Sequence, residues 1–497
     1  MDKFVKKFNG QFELDVSNID SPLWNKDLSS IPIASRTWTK WTMTMIWVTM
    51  SINIPTYMLG SSLIGSGMNW WQSILTIALG NIIVLIPMSL IAHAGPKYGV
   101  PFPVLIRSSF GTQGAKLIAM MRAFVACGWL GINLVISGNA LYIILAGLLP
   151  FMKNSPYLGN FIGLDFWHLV CILIMMFVQM LIVRYGMGMV KKVEVYASPF
   201  LLALCFFLFI WAWWKAGSIE NIFKASAMLS KENNIDFWVI FWPGLTAIVG
   251  YWATLALNIP DFTRFVKSQK DQIIGQAVGM PPTMAFISFI GIAVTSVTVI
   301  VFGTAIWDPV QLIGKFDSSF LTIIPLIGLI VASVCVNIAA SVVSSANDFS
   351  NLLPRHIDFK VGGYISCLIG FLIFPWKLIA DPHGYIFRWL IAYSALLGAV
   401  GGVMIVDYYI VRKTFLNLKS LFSTTGEYTY TNGWNLKAFF AIIVATAPNM
   451  PGFLVQVGLI GSDIFPQWID NLYNYAWFIS FFISFVVYLL LTKKIKA

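Results

Sequence analysis

Five polar or aromatic side chains within apolar segments could together hold a flat, polar ring. Trp129 and Asn133, in ACGWLGIN, are four residues apart and so share one face of a helix. Tyr251 and Trp252 lie in a second apolar segment, and Asn53 lies in a third. Two indoles that face one cavity can stack on both sides of a ring, and carboxamides can pair with its N–H and C=O groups. These residues predict a binding site for a planar nitrogen heterocycle.

Packing is the alternative role for the same residues. A tryptophan in mid-helix lies away from the interfacial belt where membrane proteins concentrate this residue. Taken alone, Trp129 fits a packing role better than a ligand platform. Gly128 and Gly131 leave room beside it for another helix or for a ligand. No carboxylate or ammonium group falls near the middle of the apolar segments at 38–66, 115–147, 237–260 or 321–345, so a neutral ring fits such a site better than a charged one.

The segments that carry these residues have the composition of membrane spans. The chain has 497 residues, of which 58% are hydrophobic and 11% charged, and its mean hydropathy is +0.78. A soluble protein would carry about a quarter charged residues. Apolar runs of about 20 residues predict an all-α integral membrane protein. We predict 12 transmembrane helices, at 38–66, 70–95, 115–147, 166–184, 193–214, 237–260, 275–303, 321–345, 363–380, 385–411, 436–460 and 471–492.

The remaining composition argues against several kinds of site. The first 36 residues are polar and show no signal peptide. The five cysteines lie in apolar segments at no metal-ligand spacing, and the four histidines are scattered. We therefore expect buried, inert thiols, and neither a metal site nor an organic cofactor.

The basic residues are distributed unevenly across the predicted membrane. Of the 32 Lys and Arg residues, 25 fall in the two tails and in the loops after even-numbered helices. The other seven lie on or near the opposite side: Lys153, Lys215, Lys224, Lys231, Lys315, Lys377 and Arg388. This asymmetry follows the positive-inside rule, so we predict a multi-pass protein of the plasma or inner membrane with both termini cytoplasmic. It also explains the net charge of +11 without a nucleic-acid partner.

Two apolar stretches are written in nearly the same way. WVTMSINIPTY at 47–57 and WATLALNIPDF at 252–262 are offset by 205 residues and share Trp, Thr, Asn, Ile and Pro. A proline removes a backbone donor and interrupts a helix, which is tolerated within a membrane where the freed groups line a cavity. Paired interruptions in two halves are typical of a transporter's central site. A chance pair of packing kinks is the alternative.

The same offset divides the chain into units. Segments 1 to 5 fall on segments 6 to 10, and five crossings per unit make the second unit inverted relative to the first. The predicted organisation is a cytoplasmic tail at 1–36, a first five-helix repeat at 37–215, an inverted repeat at 237–413, two additional transmembrane helices at 436–492 and a cytoplasmic tail at 493–497.

Charged residues near the ends of the segments have plainer expected roles. Arg122 lies about two turns before Trp129, and we expect it to reach the membrane interface. Asp261 and Arg264 are expected to form a structural or gating ion pair. Asp407 is expected to anchor a helix end.

Beyond single residues, ordered blocks along nearly the whole chain resemble the nucleobase–cation symporter-1 family, whose members include hydantoin, allantoin, uracil and cytosine permeases. The wording is closest to the allantoin and uracil branch. The blocks are SPLWNKDL at 21–28, AHAGPKYGVPFPVLIRSSFG at 92–111, CGWLGIN at 127–133, GYWATLALNIPDFTRF at 250–265, NIAASVVSSANDFSNLLP at 337–354, FPWKL at 374–378 and DYYIVRK at 407–413.

The resemblance implies a leucine-transporter-like fold, with a 5+5 inverted repeat, two C-terminal helices, and helices 1 and 6 interrupted. It implies that the substrate ring lies between Trp129 and Trp252, with Asn133 and Asn53 as the amides that bind it. Ser341 stands where relatives have a substrate-contacting asparagine, so the chain departs from the family pattern there. The implied function is secondary active import of a small neutral planar nitrogen heterocycle by alternating access.

The resemblance also implies a place for a sodium ion, between helices 1 and 8. The matching positions are Thr49, Ile52, Ala332, Cys335 and Val336. Sodium-coupled relatives have a Ser-Thr pair where this chain has Cys335 and Val336, and a hard cation prefers oxygen ligands. We therefore expect coupling to protons, or transport down the substrate gradient, rather than sodium coupling. No buried carboxylate stands out as a proton carrier.

Other function classes have little support. The sequence contains no HExxH zinc motif, no Gly-x-Ser-x-Gly elbow and no Walker A sequence, so we expect neither an enzyme nor an ATP-driven pump. A channel would need a charge ring or filter loop, and none is evident. A carrier of another heterocycle, such as thiamine or a nucleoside, remains the alternative. We expect a monomer in the lipid bilayer whose partner is a small molecule.

Overall fold

The protein is described by a computed structural model that covers residues 5–8, 10–14, 21–185, 187–233, 236–316, 319–380 and 384–493. The described chain is almost entirely helical. Its two strands, β1 (Val5–Phe8) and β2 (Gln11–Leu14), form an antiparallel hairpin near the N-terminus.

The N-terminal half holds ten α-helices. They are α1 (Lys40–Ser51), α2 (Ile54–Gly65), α3 (Trp70–Ala92), α4 (Ala94–Tyr98), α5 (Phe102–Leu105), α6 (Arg107–Phe110), α7 (Gly114–Leu148), α8 (Phe166–Arg184), α9 (Met187–Ala216) and α10 (Ile219–Asn233).

Fourteen further α-helices follow, together with three π-helical turns at Ile338–Val342, Gly384–Leu390 and Val406–Val411. They are α11 (Phe237–Tyr251), α12 (Ala253–Asn258), α13 (Pro260–Thr263), α14 (Gln269–Phe302), α15 (Pro309–Gly314), α16 (Ser319–Asn337), α17 (Val343–Leu352), α18 (Phe359–Leu372), α19 (Ile391–Ile405), α20 (Leu418–Leu421), α21 (Leu436–Thr446), α22 (Met450–Gln456), α23 (Gln467–Leu472) and α24 (Ala476–Thr492).

Short 3₁₀ turns connect several of these helices. They lie at Lys26–Leu28, Ile33–Ser35, Pro150–Lys153, Pro375–Lys377, Glu427–Thr429, Ala447–Asn449 and Tyr473–Tyr475.

Long apolar helices confirm that the chain spans a membrane many times. Among the described residues, nine helical runs are long and apolar enough to cross a bilayer, and the bent pair Leu202–Ala216 and Ile219–Ala227 would make ten. Segment 1 is not among them because it consists of two 12-residue helices, α1 and α2. Segment 9 is the 14-residue α18, which is shorter than a full span.

The chain leaves helical geometry between α1 and α2. Ile52 has φ −82° and ψ 81°, and Asn53 is extended, with φ −146° and ψ 164°. The side chain of Asn53 accepts a hydrogen bond from the backbone N–H of Thr56, which makes it the N-cap of α2. Pro55 lies in the first turn of α2, where the missing N–H would have no helical partner anyway.

Segment 6 is built differently, although its sequence is so similar. Trp252 separates α11 from α12 but keeps helical dihedral angles, with φ −95° and ψ −1°. Asn258, which corresponds to Asn53, ends α12, and its side chain donates to Ser344 Oγ (2.6 Å) instead of capping a helix. The shared Asn-Ile-Pro motif therefore has different structural roles in segment 1 and in segment 6.

The segment before α1 lies against the rest of the protein. Arg36 donates hydrogen bonds to the carbonyls of Ile31 and Pro96, and Asn25 donates to that of Pro354 (2.8 Å). Ser21 bonds to the carbonyl of Phe422. These contacts tie residues 21–36 to three distant parts of the chain.

Close helix approach accounts for the two glycines beside Trp129. A Cβ at Gly128 would overlap the ring of Trp389, and a Cβ at Gly131 would overlap the carbonyl oxygen of Gly370. Their missing side chains therefore admit neighbouring helices, not a ligand.

Candidate functional site

One open cavity brings together all six residues expected to contact a ring. Its wall is formed by α7, by segments 1 and 6, by the end of α16 and by the π-helical turn that follows it. The expected residues that line it are Asn53, Trp129, Asn133, Tyr251, Trp252 and Ser341.

The aromatic side of the cavity is a row of three rings. The ring centroid of Tyr251 is 4.9 Å from that of Trp129 and 5.0 Å from that of Trp252, edge to face in both cases. Edge-to-face contacts of this kind stabilise aromatic clusters beyond their buried area. Tyr251 thus links the two indoles into one continuous wall.

Trp252 is held in place by Asn81, a residue behind the cavity wall that the sequence did not single out. The indole Nε1 of Trp252 donates to Asn81 Oδ1 on α3, at 2.8 Å. Asn81 is fully buried, and its amide nitrogen donates to the carbonyl of Ile77. The polar edge of this indole is therefore held away from the cavity by α3, which leaves its apolar surface for packing or stacking. An asparagine within an apolar helix was the available signal.

The side-chain amides of Asn133 and Asn53 differ in which of their polar atoms lack a hydrogen-bond partner within the protein. Asn133 Nδ2 donates to the carbonyl of Trp129 (3.0 Å), whereas Asn133 Oδ1 is buried and has no hydrogen-bond partner in the described part of the chain. A buried acceptor without a donor costs about 1–3 kcal/mol, so this oxygen is suited to a ligand N–H.

Asn53, by contrast, is already engaged by the protein. Its Oδ1 accepts from Thr56 N (2.7 Å) and from the Tyr251 hydroxyl (3.0 Å), and its Nδ2 donates to the carbonyl of Met50. Its contacts make it a helix cap and a link to segment 6.

Ser341 lies on the π-helical turn Ile338–Val342. A π-turn carries one more residue than an α-helical turn, which shifts the side chains that follow, and such turns are frequent at functional sites. Ser341 is buried and faces the cavity, together with Val336.

The positions matched to a sodium site are mostly apolar. Ala332, Cys335 and Val336 are buried on α16, and Ile52 is buried at the end of α1. Thr49 Oγ1 donates to the carbonyl of Met45 at 2.8 Å. The hydroxyl of Ser333 is buried and has no hydrogen-bond partner among the described residues.

The prediction that Arg122 reaches the membrane interface is wrong. Arg122 is 1% exposed, lines the cavity and forms an ion pair with Asp348, which is fully buried. The two residues are 226 positions apart, so nothing local in the sequence indicates the pairing. The weak signal was an arginine inside an apolar segment, whereas Asp348 lies in a polar stretch beyond the predicted end of segment 8 and was not singled out as a buried carboxylate.

The predicted ion pair between Asp261 and Arg264 is also absent from the described salt bridges. Asp261 Oδ1 instead accepts from the backbone N–H of Phe102 (2.7 Å), and Arg264 donates to the carbonyl of Asp27 (3.1 Å). Each side chain therefore fastens segment 6 to a separate loop.

Asp407 does have the anchoring contacts expected of it. It is buried, forms a salt bridge with Arg412 (2.8 Å) and accepts hydrogen bonds from Ser109 (3.1 Å) and Tyr488 (3.0 Å). These bonds hold α24 and α6 to the π-helical turn that carries Asp407.

Comparison with known proteins agrees with this architecture. Residues 30–480 match the model of the family described as permease for cytosine/purines, uracil, thiamine, allantoin. A purine-uracil permease of Arabidopsis thaliana is 39% identical over 494 residues, which cover 97% of this chain and 80% of that protein. The allantoin permease of Bacillus subtilis (strain 168) is 37% identical over 475 residues, which cover 95% and 93% of the two chains.

A solved structure shows the same fold. The inward-facing conformation of Mhp1 aligns with a TM-score of 0.77 and 22% identity, over 96% of this chain and 95% of that one. The predicted family and branch are confirmed, as is the prediction that the protein is not an enzyme. The chain belongs to the nucleobase–cation symporter-1 family of permeases, whose characterised relatives carry nucleobases and allantoin.

Proposed function

We propose that this permease imports a small neutral planar nitrogen heterocycle, of the nucleobase, allantoin or hydantoin type, by alternating access. The cavity is the main support for this proposal. An aromatic wall of Trp129, Tyr251 and Trp252 lines it together with Asn133, whose Oδ1 has no hydrogen-bond partner among the described residues. Aromatic faces bind flat rings by stacking, and a buried acceptor selects a ring N–H. The relatives described above, a purine-uracil permease and an allantoin permease, support the same class of substrate.

The proposed architecture has twelve spans. The nine runs and the bent pair supply ten, and two more come from α1 joined to α2 and from α18. We place the inverted repeats at 37–215 and 237–413, with segments 1 and 6 interrupted at Asn53 and Trp252 beside the cavity. Two half-helices that end at a binding site are a common device of transporters. The N- and C-termini are cytoplasmic in this proposal, and the site lies in the cell membrane.

The proposed coupling ion is the proton. Cys335 has a soft sulfur and Val336 has no acceptor at all, so two oxygens are missing from the place where sodium-coupled relatives hold their ion. Backbone carbonyls alone leave too few ligands for a hard cation. The transporter works as a monomer without an organic cofactor.

The test is a binding and uptake screen with purified protein. Allantoin, hydantoins, uracil, cytosine, purines and thiamine are compared by thermal shift and then by uptake into proteoliposomes. We expect at least one flat heterocycle to raise the melting temperature and to enter by saturable uptake, and to be recovered unchanged inside. Stabilisation by thiamine or a nucleoside alone would favour the alternative substrates. Uptake that does not saturate, or a chemically altered product, would contradict a carrier.

A further inference from the structure

Arg122, which lines the cavity beside the residues expected to bind the ring, belongs to a buried ion pair. Both Nε and Nη2 of Arg122 contact a single oxygen, Oδ2, of Asp348. Arg122 is 1% exposed and Asp348 is fully buried. Taking two charges out of water costs several kcal/mol per ion, which their attraction repays only partly. Ionisable residues within a membrane protein face its interior or a cavity, pair with one another and mark ion and proton pathways.

The other oxygen of Asp348 is open. Oδ1 is buried and has no hydrogen-bond partner in the described residues. An ionised carboxylate only accepts hydrogen bonds, on both of its oxygens. A protonated carboxyl group has one O–H donor and can still accept on its other oxygen. Because Arg122 occupies only Oδ2, a proton can bind Oδ1 without displacing any protein donor.

A second carboxylate, Asp261, lies near both members of this ion pair. The guanidinium carbon of Arg122 is 5.7 Å from the ring centroid of Phe102, and the backbone N–H of Phe102 donates to Asp261 Oδ1 at 2.7 Å. The positive charges of Arg122 and Arg264 both act on Asp261. Arg122 therefore lies within the electrostatic reach of Asp261 on α13, which directly continues segment 6, as well as of Asp348 on α17.

Few other charged groups face Asp348. On α7 they are Arg122 and the thiol of Cys127, and on α13 there is Asp261. On the other elements that pack against α17, Lys26, Asp27 and Lys360 are exposed. Arg107 on α6 is buried and donates to Asn351 Oδ1 on α17 at 2.6 Å, so its charge is bound one turn away from Asp348. A change in the charge of Asp348 thus acts mainly on Arg122 and on Asp261.

We propose that Asp348 is the proton-coupling residue of this transporter, and that Arg122 transmits its charge state to segment 6. This proposal rests on the proposed function, proton-driven import. When Asp348 is ionised, it holds Arg122 at α17. When a proton binds Oδ1, Asp348 becomes neutral, and Arg122 is drawn toward Asp261, the remaining carboxylate.

Segment 6 connects this exchange to the substrate. It carries Tyr251 and Trp252 in the aromatic wall, and Asn258 ties it to Ser344 on α17 (2.6 Å). A change in the pull of Arg122 on Asp261 therefore acts on the same segment that contacts the ring. Proton and substrate bind to one movable element, which is what coupling requires.

The experiment uses Asp348→Asn in proteoliposomes with a substrate found in the screen. Three quantities are measured: accumulation driven by a proton gradient, proton uptake that accompanies substrate entry, and exchange of labelled for unlabelled substrate. Exchange needs no net proton movement. We expect Asp348→Asn to lose accumulation and proton uptake but to keep exchange.

The matched control is Asp407→Asn. Asp407 is an equally buried, arginine-paired aspartate remote from the cavity. We expect this variant to be at most less stable. Its accumulation of substrate and its proton uptake should both match those of wild type. Asp348→Glu, which restores a carboxylate, should recover part of both.

An unpaired Arg122 could prevent Asp348→Asn from folding, so the double variant Arg122→Gln/Asp348→Asn removes both charges. The proposal is supported if either the single or the double variant exchanges labelled substrate but does not accumulate substrate in a proton gradient. Accumulation with normal proton uptake in Asp348→Asn, or loss of coupling in Asp261→Asn but not in Asp348→Asn, overturns it. Wild-type protein that accumulates substrate without moving protons would instead refute the proposed proton coupling.

Discussion

The hydroxyl of Tyr251 donates to Oδ1 of Asn53 at 3.0 Å, and this bond joins segment 6 to the break in segment 1. Asn53 Oδ1 also accepts from the backbone of Thr56, so the same atom caps α2 and holds Tyr251. Thr56 Oγ1 lies 3.0 Å from the same hydroxyl. The geometry of the two cavity-lining segments is thus set partly by three polar groups.

Tyr251→Phe should loosen this junction while keeping the aromatic wall. The change removes the donor to Asn53, at a cost of about 0.5–1.5 kcal/mol for a typical hydrogen bond. We expect a lower melting temperature in detergent and weaker substrate binding. Tyr157→Phe removes an exposed tyrosine hydroxyl that bonds to Asn160 and should change neither. Identical behaviour of the two variants would mean that the junction has no effect on the site.

Removing either indole from the wall should weaken binding. Trp129→Ala or Trp252→Ala deletes a stacking surface worth on the order of 1–3 kcal/mol, which is roughly 5- to 150-fold in affinity. Isothermal titration or competition uptake measures the loss. Trp376→Ala is the control, because Trp376 is a buried tryptophan in a separate core cluster. It should reduce stability and leave affinity unchanged. Wild-type affinity in both cavity variants, with good expression, would show that the indoles only pack.

Asn133→Gln should change which substrate is preferred more than it changes folding. The longer side chain moves the free acceptor by about one methylene, so ring N–H groups at other positions would meet it. The rank order of affinities across the heterocycle screen is the measurement. Asn449→Gln alters a buried asparagine that bonds to Ser480, far from the cavity, and should keep the wild-type order. An unchanged order in Asn133→Gln would show that Oδ1 does not contact substrate.

The orientation in the membrane can be tested with two single cysteines. We expect Lys267→Cys to lie in the cytoplasm and Asn233→Cys outside, as the distribution of basic residues predicts. An impermeant thiol reagent on intact cells should label only the second. The five native cysteines are all buried, which keeps the background low. Equal labelling at both positions would contradict the topology.

The sequence could predict which residues line the cavity, but not the hydrogen bonds and ion pairs that they form with distant residues. Residue types and helix spacing were enough to group Trp129 with Asn133, and a repeated Asn-Ile-Pro stretch pointed to Asn53 and Trp252. Spacing says nothing about contacts across hundreds of residues. The bonds from Trp252 to Asn81 and from Arg122 to Asp348 depend on tertiary packing, and so they were missed.

The same limit applies to residues that looked alike. Asn53 and Asn258 occupy matching places in the two stretches, yet only Asn53 caps a helix. The difference lies in the backbone: the chain at Ile52 and Asn53 leaves the helical region, whereas Trp252 and Ile259 stay in it. A sequence motif states which groups are available, and the packing around it decides which bonds they make.

Transport should not depend on sodium. The residues in the place of the Ser-Thr pair, Cys335 and Val336, supply no hard oxygen ligand, and Val336 faces the cavity with an apolar side chain. Uptake into vesicles should persist when choline replaces sodium at fixed pH, and it should fall when the proton gradient is collapsed. A steep sodium requirement would contradict this expectation.

The double variant Cys335→Ser/Val336→Thr gives the converse test, because it adds two hydroxyl oxygens at the same place. If backbone carbonyls of segments 1 and 8 complete the site, sodium should stimulate uptake or substrate binding by this variant and not by wild type. Cys171→Ser makes the same chemical change at a buried cysteine on α8, outside the cavity, and should not respond to sodium. A double variant that folds, transports and ignores sodium would show that the missing hydroxyls are not what excludes the ion. The ligand geometry around Thr49 and Ile52 would then have to exclude it.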